Sequence, residues 1–194
     1  MFDKIFSRFY NLRGDDILMA EIKIRSATLE DAPRLVEIYS YYVEETAISF
    51  ECETPSIEKF QNRMIRTMKN YPYLVAEIGG EIVGYAYASR FVGREAYKFS
   101  AELTIYLDKN FRHQGIGKKL YGELEKNLRE IGIKNLYACI GFPEIEDEHL
   151  TLNSVKFHDH LGFKICGKFT KCGYKFNRWY SMVWAEKIIG VYEK

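Results

Sequence analysis

The sequence predicts an α/β protein in which helices pack on the faces of a mixed β-sheet. Runs with strand periodicity alternate with runs of helical periodicity, in the order β-α-α-β-β-β-α-β-α-β-β. No internal repeat and no linker-like stretch interrupts this pattern after residue 21. We therefore expect one domain over residues 21–190, preceded by a short extension over residues 1–20.

The composition is that of an ordinary globular protein. Of 194 residues, 47% are hydrophobic and 28% are charged, which argues against disorder over most of the chain. Lys+Arg 28 against Asp+Glu 27 gives a net charge of +1, so we expect neither nucleic acid nor a membrane as partner. The four cysteines match no zinc or redox spacing, which favours reduced thiols, a cytoplasmic location and no bound metal.

The first 20 residues read differently from the rest. Phe2, Phe6 and Phe9 fall at helical spacing, but no apolar core long enough for a secretory leader follows them. A short amphipathic helix, an upstream extension and added sequence are the alternatives, and Met19 is an alternative start. We assign this segment no function.

In the first half of the chain, two helices follow a short strand. The run Ile22–Arg25 alternates like a strand, and Thr28 followed by Asp31 indicates a helix N-terminus. Ser56 begins a second helix. The residues predicted to face inward are Leu35, Ile38, Tyr39 and Tyr42 on the first helix and Ile57, Phe60, Met64 and Met68 on the second.

The rest of the chain contains most of the sheet. The pair Gly79-Gly80 between two β-rich runs predicts a hairpin. The predicted strands are Tyr73–Ile78, Glu81–Ser89, Phe99–Leu107, Lys134–Ile140, Phe163–Phe169 and Trp179–Glu186, and the predicted helices are Gly115 to Glu130 and Thr151–Leu161. An acidic insert, Glu144–Glu148, separates the fourth of these strands from the last helix.

The most informative motif lies where a strand ends and a helix begins. Gly115 and Gly117 remove the Cβ atoms that would keep a ligand from the backbone. The first N–H groups of a helix lack intrahelical acceptors, and the helix dipole adds positive charge there. We therefore predict a diphosphate site, with an ordinary strand-to-helix turn as the alternative. The predicted contacts are Arg112, His113, Gln114, Gly115, Ile116, Gly117 and Lys118.

Two better-known phosphate motifs do not fit this run. A dinucleotide-binding Gly-x-Gly-x-x-Gly would need glycine at position 120, which is Leu120. A phosphate loop would need Ser or Thr after Lys118, where Lys119 stands.

The run Arg-x-x-Gly-x-Gly resembles the acyl-CoA pyrophosphate loop of the GNAT N-acetyltransferases. Further runs resemble the phosphinothricin N-acetyltransferases within that superfamily: 46–50, 94–102, 104–107, 157–163 and 173–179. The resemblance implies a splayed GNAT sheet flanked by helices, acetyl-CoA as co-substrate and a homodimer. It also implies a small amino-acid-like amine acceptor of the phosphinothricin or methionine sulfoximine type.

The resemblance places a general base at Glu102 and a proton donor for the departing CoA thiolate at His158. A base is needed because an ammonium has no lone pair with which to attack a thioester. An imidazole of near-neutral pKa can supply a proton to a thiolate. The open alternative is that both side chains polarise the amine. Without the resemblance, a strand Glu is more often solvated and a helical His more often structural.

The remaining contacts are also implied by the resemblance. Acceptor-binding residues are Arg94 and Tyr97, which match residues facing a carboxylate, and Phe50, Lys175 and Trp179. Core or rim packing is an equal alternative for Phe50 and Trp179. The strand end at Tyr106 and Leu107 would pair with the pantetheine arm, and an N–H near Leu107 would polarise the thioester carbonyl. Thr151 or Asn153 would replace a family Asn that contacts CoA.

Other interpretations are left open by the sequence. The run from Lys164 to Arg178 is rich in Lys and Arg and is either a solvated strand face or an anion-attracting rim. Direct acetyl transfer is favoured over an intermediate on Cys139, because no neighbour in sequence activates that thiol. The alternatives in function are a protein or peptide N-acetyltransferase and a non-catalytic acyl-CoA-binding module.

Overall fold

The computed structural model describes residues 21–192, so the segment set apart at residues 1–20 lies outside the described residues. The helices are α1 (Ala32–Glu44), α2 (Ile57–Met68), α3 (Ile116–Glu130) and α4 (Asn153–His160). The strands are β1 (Ile22–Ser26), β2 (Tyr73–Ile78), β3 (Glu81–Arg90), β4 (Ser100–Leu107), β5 (Asn135–Phe142), β6 (Lys164–Lys175) and β7 (Arg178–Ile188). Within the described residues, no helix is long and apolar enough to cross a membrane.

The seven strands form one mixed sheet in the order β1-β2-β3-β4-β5-β7-β6. Every neighbouring pair is antiparallel except β4 and β5, which run parallel. This parallel pairing is short, because it joins only Ser100–Glu102 to Asn135–Tyr137. Beyond Glu102 the two strands separate, and the sheet is splayed there. The predicted α/β fold class is confirmed.

Helices cover the two faces of the sheet unequally. On one face, α3 packs over a core that includes Leu103, Leu120 and Leu136. On the other face, α1 and α2 pack on β2, β3 and β4 through a cluster that includes Tyr85. Since side chains alternate across a strand, Tyr137 lies on this second face of β5. The open half of the second face is therefore next to Glu102.

The local signals in the first half of the chain were mostly correct. The backbone N–H of Thr28 donates to the Asp31 carboxylate at 2.8 Å, and the Ser56 hydroxyl accepts from the N–H of Lys59 at 3.2 Å. The predicted face of α1 is buried. Ile57 was predicted to face inward but is 44% exposed, because as the first residue of α2 it precedes the buried stripe.

The last hairpin is longer than the sequence indicates. The strand β6 continues to Lys175, six residues past the predicted end at Phe169. Its pairing with β7 shifts between Phe169 and Gly173, and Lys171 has a φ of 50° there. Such a bulge breaks the alternation that marks a strand, so the pattern could not reveal this extension.

Candidate active site

The gap between β4 and β5 leaves backbone polar groups of β4 without a neighbouring strand. The N–H of Asp108 donates to the carbonyl of Val83 on β3 at 2.9 Å. Because successive groups of a strand point to opposite edges, Leu103, Ile105 and Leu107 direct their N–H and C=O groups into the gap. An extended ligand with amide groups can pair with this edge.

The end of this edge is capped by a tyrosine that the sequence analysis missed. The N–H of Leu107 donates to the Tyr42 hydroxyl at 3.2 Å, and this hydroxyl donates to the Leu107 carbonyl at 2.5 Å. The only sequence signal was an aromatic residue on the inward face of α1. The ring of Tyr106 lies 4.8 Å from those of Tyr39 and Tyr42, so its side chain belongs to the α1 core and not to the gap.

The predicted diphosphate loop opens α3 as expected. Gly115 is its N-cap with a φ of 78°, and His113 has a φ of 63°. Two left-handed residues so close together turn successive N–H groups to one side, a geometry that binds anions. The side chains of Gln114 and Lys118 are exposed, whereas Ile116 is buried, so Ile116 can offer a ligand only its backbone.

Gly117 is needed for packing between helices and not, as the sequence predicts, for access of a ligand to the backbone. A Cβ on Gly117 would lie 2.9 Å from the ring of Phe157 on α4. Glycine is therefore required there for helix packing. The residues Thr151 and Asn153 meet at the start of the same helix, where the Asn153 N–H lies 3.4 Å from the Thr151 hydroxyl.

The Arg112 side chain is placed to bind an anion. Its half-buried guanidinium lies 5.1 Å from the ring centre of Tyr41 and 5.3 Å from that of Tyr42. Its Nη2 atom is buried and has no hydrogen-bond partner, the one such side-chain atom within residues 21–192. An unpaired buried donor of a cation is costly unless an anionic acceptor arrives. Arg112 therefore fits a diphosphate at the start of α3.

Glu102 lies where β4 and β5 part, on the same face as Thr104. Burial raises the pKa of the Glu102 carboxyl above its ordinary value. Burial and then the Glu102 charge raise the pKa of the Cys139 thiol to about 12, so this thiol stays protonated near neutral pH. A carboxylate of raised pKa beside a cleft suits a general base.

His158 is buried and hydrogen-bonded through both ring nitrogens. Nδ1 lies 2.8 Å from the carbonyl oxygen of Ser154, and Nε2 lies 3.1 Å from the Tyr121 hydroxyl. A carbonyl only accepts, so Nδ1 carries the proton and Nε2 accepts from Tyr121. Burial lowers the pKa of His158 to about 4, so the ring is neutral near pH 7. In this arrangement Nε2 has no proton to give a substrate.

An aromatic wall that the sequence analysis missed stands beside Glu102. The ring of Phe91 stacks on Tyr137 at 4.0 Å and meets Trp184 edge-on at 5.4 Å. The predicted acceptor residue Tyr97 joins this wall, with its ring 6.0 Å from Phe91. Arg94 is exposed just before it. The signal was the high aromatic content, but which rings meet depends on strand pairing.

Lys175 was predicted to contact the acceptor, and the structure places it below the surface. Its ammonium donates to the carbonyls of Thr46 at 2.9 Å and Ser49 at 2.7 Å, and burial lowers its pKa. Phe50 follows Ser49 in the loop that these two carbonyls belong to. Its ring covers Gly173, where a Cβ would lie 2.3 Å from the ring. Trp179 is 61% exposed at the hairpin tip. Lys175 thus holds the loop that carries Phe50.

The acidic insert pairs with two cations of the basic stretch opposite it. Arg178 pairs with Asp147 and Glu148 at 2.9 Å, and Lys168 pairs with Glu144 at 2.8 Å. These pairs remove Lys168 and Arg178 from an anion-attracting rim. Across the described part of the chain, no cluster of three or more His, Cys, Asp or Glu could hold a metal ion.

A sheet splayed beside a helix start that can bind anions, with a carboxylate at the point of divergence, fits an enzyme that transfers an acyl group from a nucleotide thioester. The sequence profile of the Acetyltransferase (GNAT) domain matches residues 24–184. The chain belongs to the GNAT acetyltransferase family, which confirms the resemblance. It is an N-acetyltransferase, and acetyl-CoA is the acyl donor that its unpaired β4 edge and Arg112 fit.

Individual relatives include phosphinothricin N-acetyltransferases and a protein N-acetyltransferase. The phosphinothricin N-acetyltransferase of Streptomyces viridochromogenes is 31% identical over 161 residues, which are 83% of this chain and 84% of the relative. A Sinorhizobium meliloti phosphinothricin acetyltransferase solved with acetyl-CoA is 32% identical, with a TM-score of 0.80 over 87% of this chain and 89% of that one. A solved Brucella melitensis ribosomal-protein-alanine N-acetyltransferase is 34% identical, with a TM-score of 0.77 over 86% of this chain and 99% of that one.

Proposed function

We propose that this enzyme acetylates the amine of a small amino-acid-like acceptor of the phosphinothricin or methionine sulfoximine type. The observation that carries the proposal is the half-buried Glu102 carboxyl, whose pKa burial raises, at the point where β4 leaves β5. A base at this point lies beside both the unpaired β4 edge and the aromatic wall. The acetyl donor and the amine acceptor would meet at this point.

The donor would lie along the β4 edge with its diphosphate at the start of α3. The free N–H groups of that turn, the charge of Arg112 and the exposed side chains His113, Gln114 and Lys118 support this placement. Thr151 and Asn153 would contribute from the start of α4. Acetyl-CoA supplies the activated acetyl group. The backbone groups of Leu107 would hold its arm, and an N–H closer to Glu102, at Leu103 or Ile105, would polarise the thioester carbonyl.

Glu102 would take the proton of the acceptor ammonium, directly or through one water, and so free the lone pair for attack. Direct transfer is supported by the protonated Cys139 thiol, which is a poor nucleophile. His158 would act as a positioning residue, since its Nε2 accepts the Tyr121 proton and has none to donate. This replaces the acid role that the family resemblance implies.

The acceptor would lie between the aromatic wall and Phe50. Arg94 and Tyr97 at the exposed end of the wall would bind its carboxylate, with the guanidinium as a planar fork. Lys175 would act through the Phe50 loop that it holds. Trp179 would stand at the rim.

A second candidate function is transfer to the N-terminus of a protein. Its support is the Brucella melitensis neighbour, whose name describes such an acceptor. A peptide would need an open path past Phe50 and the docked insert, whereas a free amino acid would not.

The test is release of CoA thiol from acetyl-CoA with a panel of amines at equal concentration. Phosphinothricin and methionine sulfoximine should give kcat/KM at least tenfold above an alanine-initiated peptide. A peptide that exceeds every amino acid would favour the second candidate. Saturable acetyl-CoA binding with no thiol release for any amine would identify a non-catalytic module.

We also propose a cytoplasmic location and a homodimer. The four free cysteines of the described chain suit a reducing compartment. Sedimentation analysis of the purified protein would test the dimer, which a purely monomeric species at micromolar concentration would exclude.

A further inference from the structure

The hydroxyl of Tyr42 occupies a position that the donor needs under the proposed function. It accepts from the N–H of Leu107 and donates to the carbonyl of the same residue. A strand residue offers this pair of groups to a neighbouring strand, and β5 has already moved away at this point. The hydroxyl thus does locally what a partner strand or an amide-bearing ligand would do.

The ring of Tyr42 also belongs to the diphosphate end of the site. The Arg112 guanidinium lies over it and over the ring of Tyr41, while Nη2 of Arg112 has no acceptor. An anion at the start of α3 offers Arg112 stronger bonds than two aromatic faces do, so it draws the guanidinium away. That movement removes one of the groups packed on the Tyr42 ring, whose other aromatic neighbours are Tyr41 and Tyr106.

We propose that the Tyr42 hydroxyl makes, in the free enzyme, the hydrogen bonds that the acyl-CoA arm makes when it binds, and that the arm displaces it. In the free enzyme its hydroxyl satisfies the polar groups of Leu107. When the donor binds, an amide of its arm forms the hydrogen bonds to Leu107 in place of the Tyr42 hydroxyl. The hydroxyl then moves away from Leu107, together with the movement of Arg112. The inference rests on the proposed placement of the donor along β4.

The physical consequence is a competition. Every donor molecule that pairs with Leu107 must first break the two hydrogen bonds to Tyr42, and this cost weakens donor binding. Removing the hydroxyl removes the competitor but keeps the ring beneath Arg112. The effect should appear only for ligands that carry the arm, because the nucleotide portion does not reach Leu107.

Calorimetric titration of Tyr42→Phe with CoA and with 3′-phospho-ADP, which lacks the arm, tests the proposal. The variant should bind CoA roughly fivefold more tightly than the wild type, within the range of a lost hydrogen bond. Its affinity for 3′-phospho-ADP should be unchanged. Ser40→Ala is the matched control, since it removes another hydroxyl of α1 whose bond is to the Glu37 carbonyl and should leave both affinities unchanged.

Unchanged or weaker CoA binding by Tyr42→Phe overturns the inference. If the wild type binds CoA in the same experiment, the proposed function is unaffected by that result. A wild type that does not bind CoA overturns both. If the variant does not fold, a crystal structure of the wild type with CoA decides the matter. The Tyr42 hydroxyl should then lie beyond 3.5 Å from both Leu107 atoms. Retention of either bond contradicts the proposal.

Discussion

His158 and Tyr121 form a buried polar pair, with Nε2 of the imidazole 3.1 Å from the phenol oxygen. The second ring nitrogen is held by the Ser154 carbonyl at 2.8 Å, and this contact fixes the tautomer. Both members of the pair lie among Phe157 and Phe163. The pair is therefore a neutral, desolvated unit whose hydrogen bonds orient the Tyr121 hydroxyl.

Acid should destabilise the enzyme through His158. Its folded-state pKa of about 4 lies below the ordinary value of 6.5, so its contribution to stability is complete above pH 6.5 and is lost as pH falls through 4. The loss approaches about 3 kcal/mol. Urea unfolding across this range should show a smaller decline for His158→Asn than for the wild type. Equal declines in the two proteins would contradict the assigned environment.

Tyr121→Phe should lower kcat about tenfold with little change in KM for acetyl-CoA, because Nε2 loses its donor and the imidazole loses its fixed orientation. The control is Tyr174→Phe, at the exposed hairpin tip. Steady-state kinetics with a saturating acceptor measures both. Full activity in Tyr121→Phe would restrict the pair to a purely structural role.

Glu102→Gln should lower kcat/KM by about 10² or more, the usual contribution of a positioned base. In the wild type, activity should rise with pH through the Glu102 pKa, because only the carboxylate accepts a proton. Burial raises that pKa, so the acidic limb should lie above the ordinary range of glutamate. The limb should vanish in the variant. Glu123→Gln, on the surface of α3, should behave like the wild type, and full turnover by Glu102→Gln would exclude this residue as the base.

Cys139→Ala should retain most of the activity, and mass spectrometry should find no acetylated Cys139 after exposure to acetyl-CoA. The reason is a thiol pKa of about 12, which leaves almost no thiolate near neutral pH. A trapped acetyl group on this residue would overturn direct transfer.

Lys175→Met should cost about 2–3 kcal/mol of unfolding free energy, since the carbonyls of Thr46 and Ser49 lose a charged donor. It should also raise KM for the acceptor more than KM for acetyl-CoA, because the freed loop carries Phe50. Lys164→Met removes only an exposed pair with Asp159 and should change stability by less than about 1 kcal/mol. If the KM for the acceptor stays constant in Lys175→Met, the loop that carries Phe50 does not contribute to acceptor binding.

The sequence alone was sufficient for the fold because its signals are local. Gly79-Gly80 and the cap at Thr28 each act within a few residues, and the structure has the elements that they indicate. The turn that opens α3 could also be predicted, because Gly115 at a helix start is a short-range feature.

The rest of the site depends on contacts between distant residues. Tyr42 meets Leu107 and Tyr121 meets His158 only after the helices have packed, and no periodicity encodes such pairs. Lys175 looked like a surface cation in a basic stretch, but its two acceptors lie more than 100 residues away in the chain. Sequence can therefore name candidates for the chemistry, while burial and partners decide which role each one has.

The most direct test is a crystal structure of the enzyme with CoA and methionine sulfoximine bound together. The account predicts the diphosphate on the N–H groups at Gly115–Lys118, the arm between β4 and β5, and the acceptor amine within one water of Glu102. Nucleotide density elsewhere, or an amine on the far side of the sheet from Glu102, would contradict it.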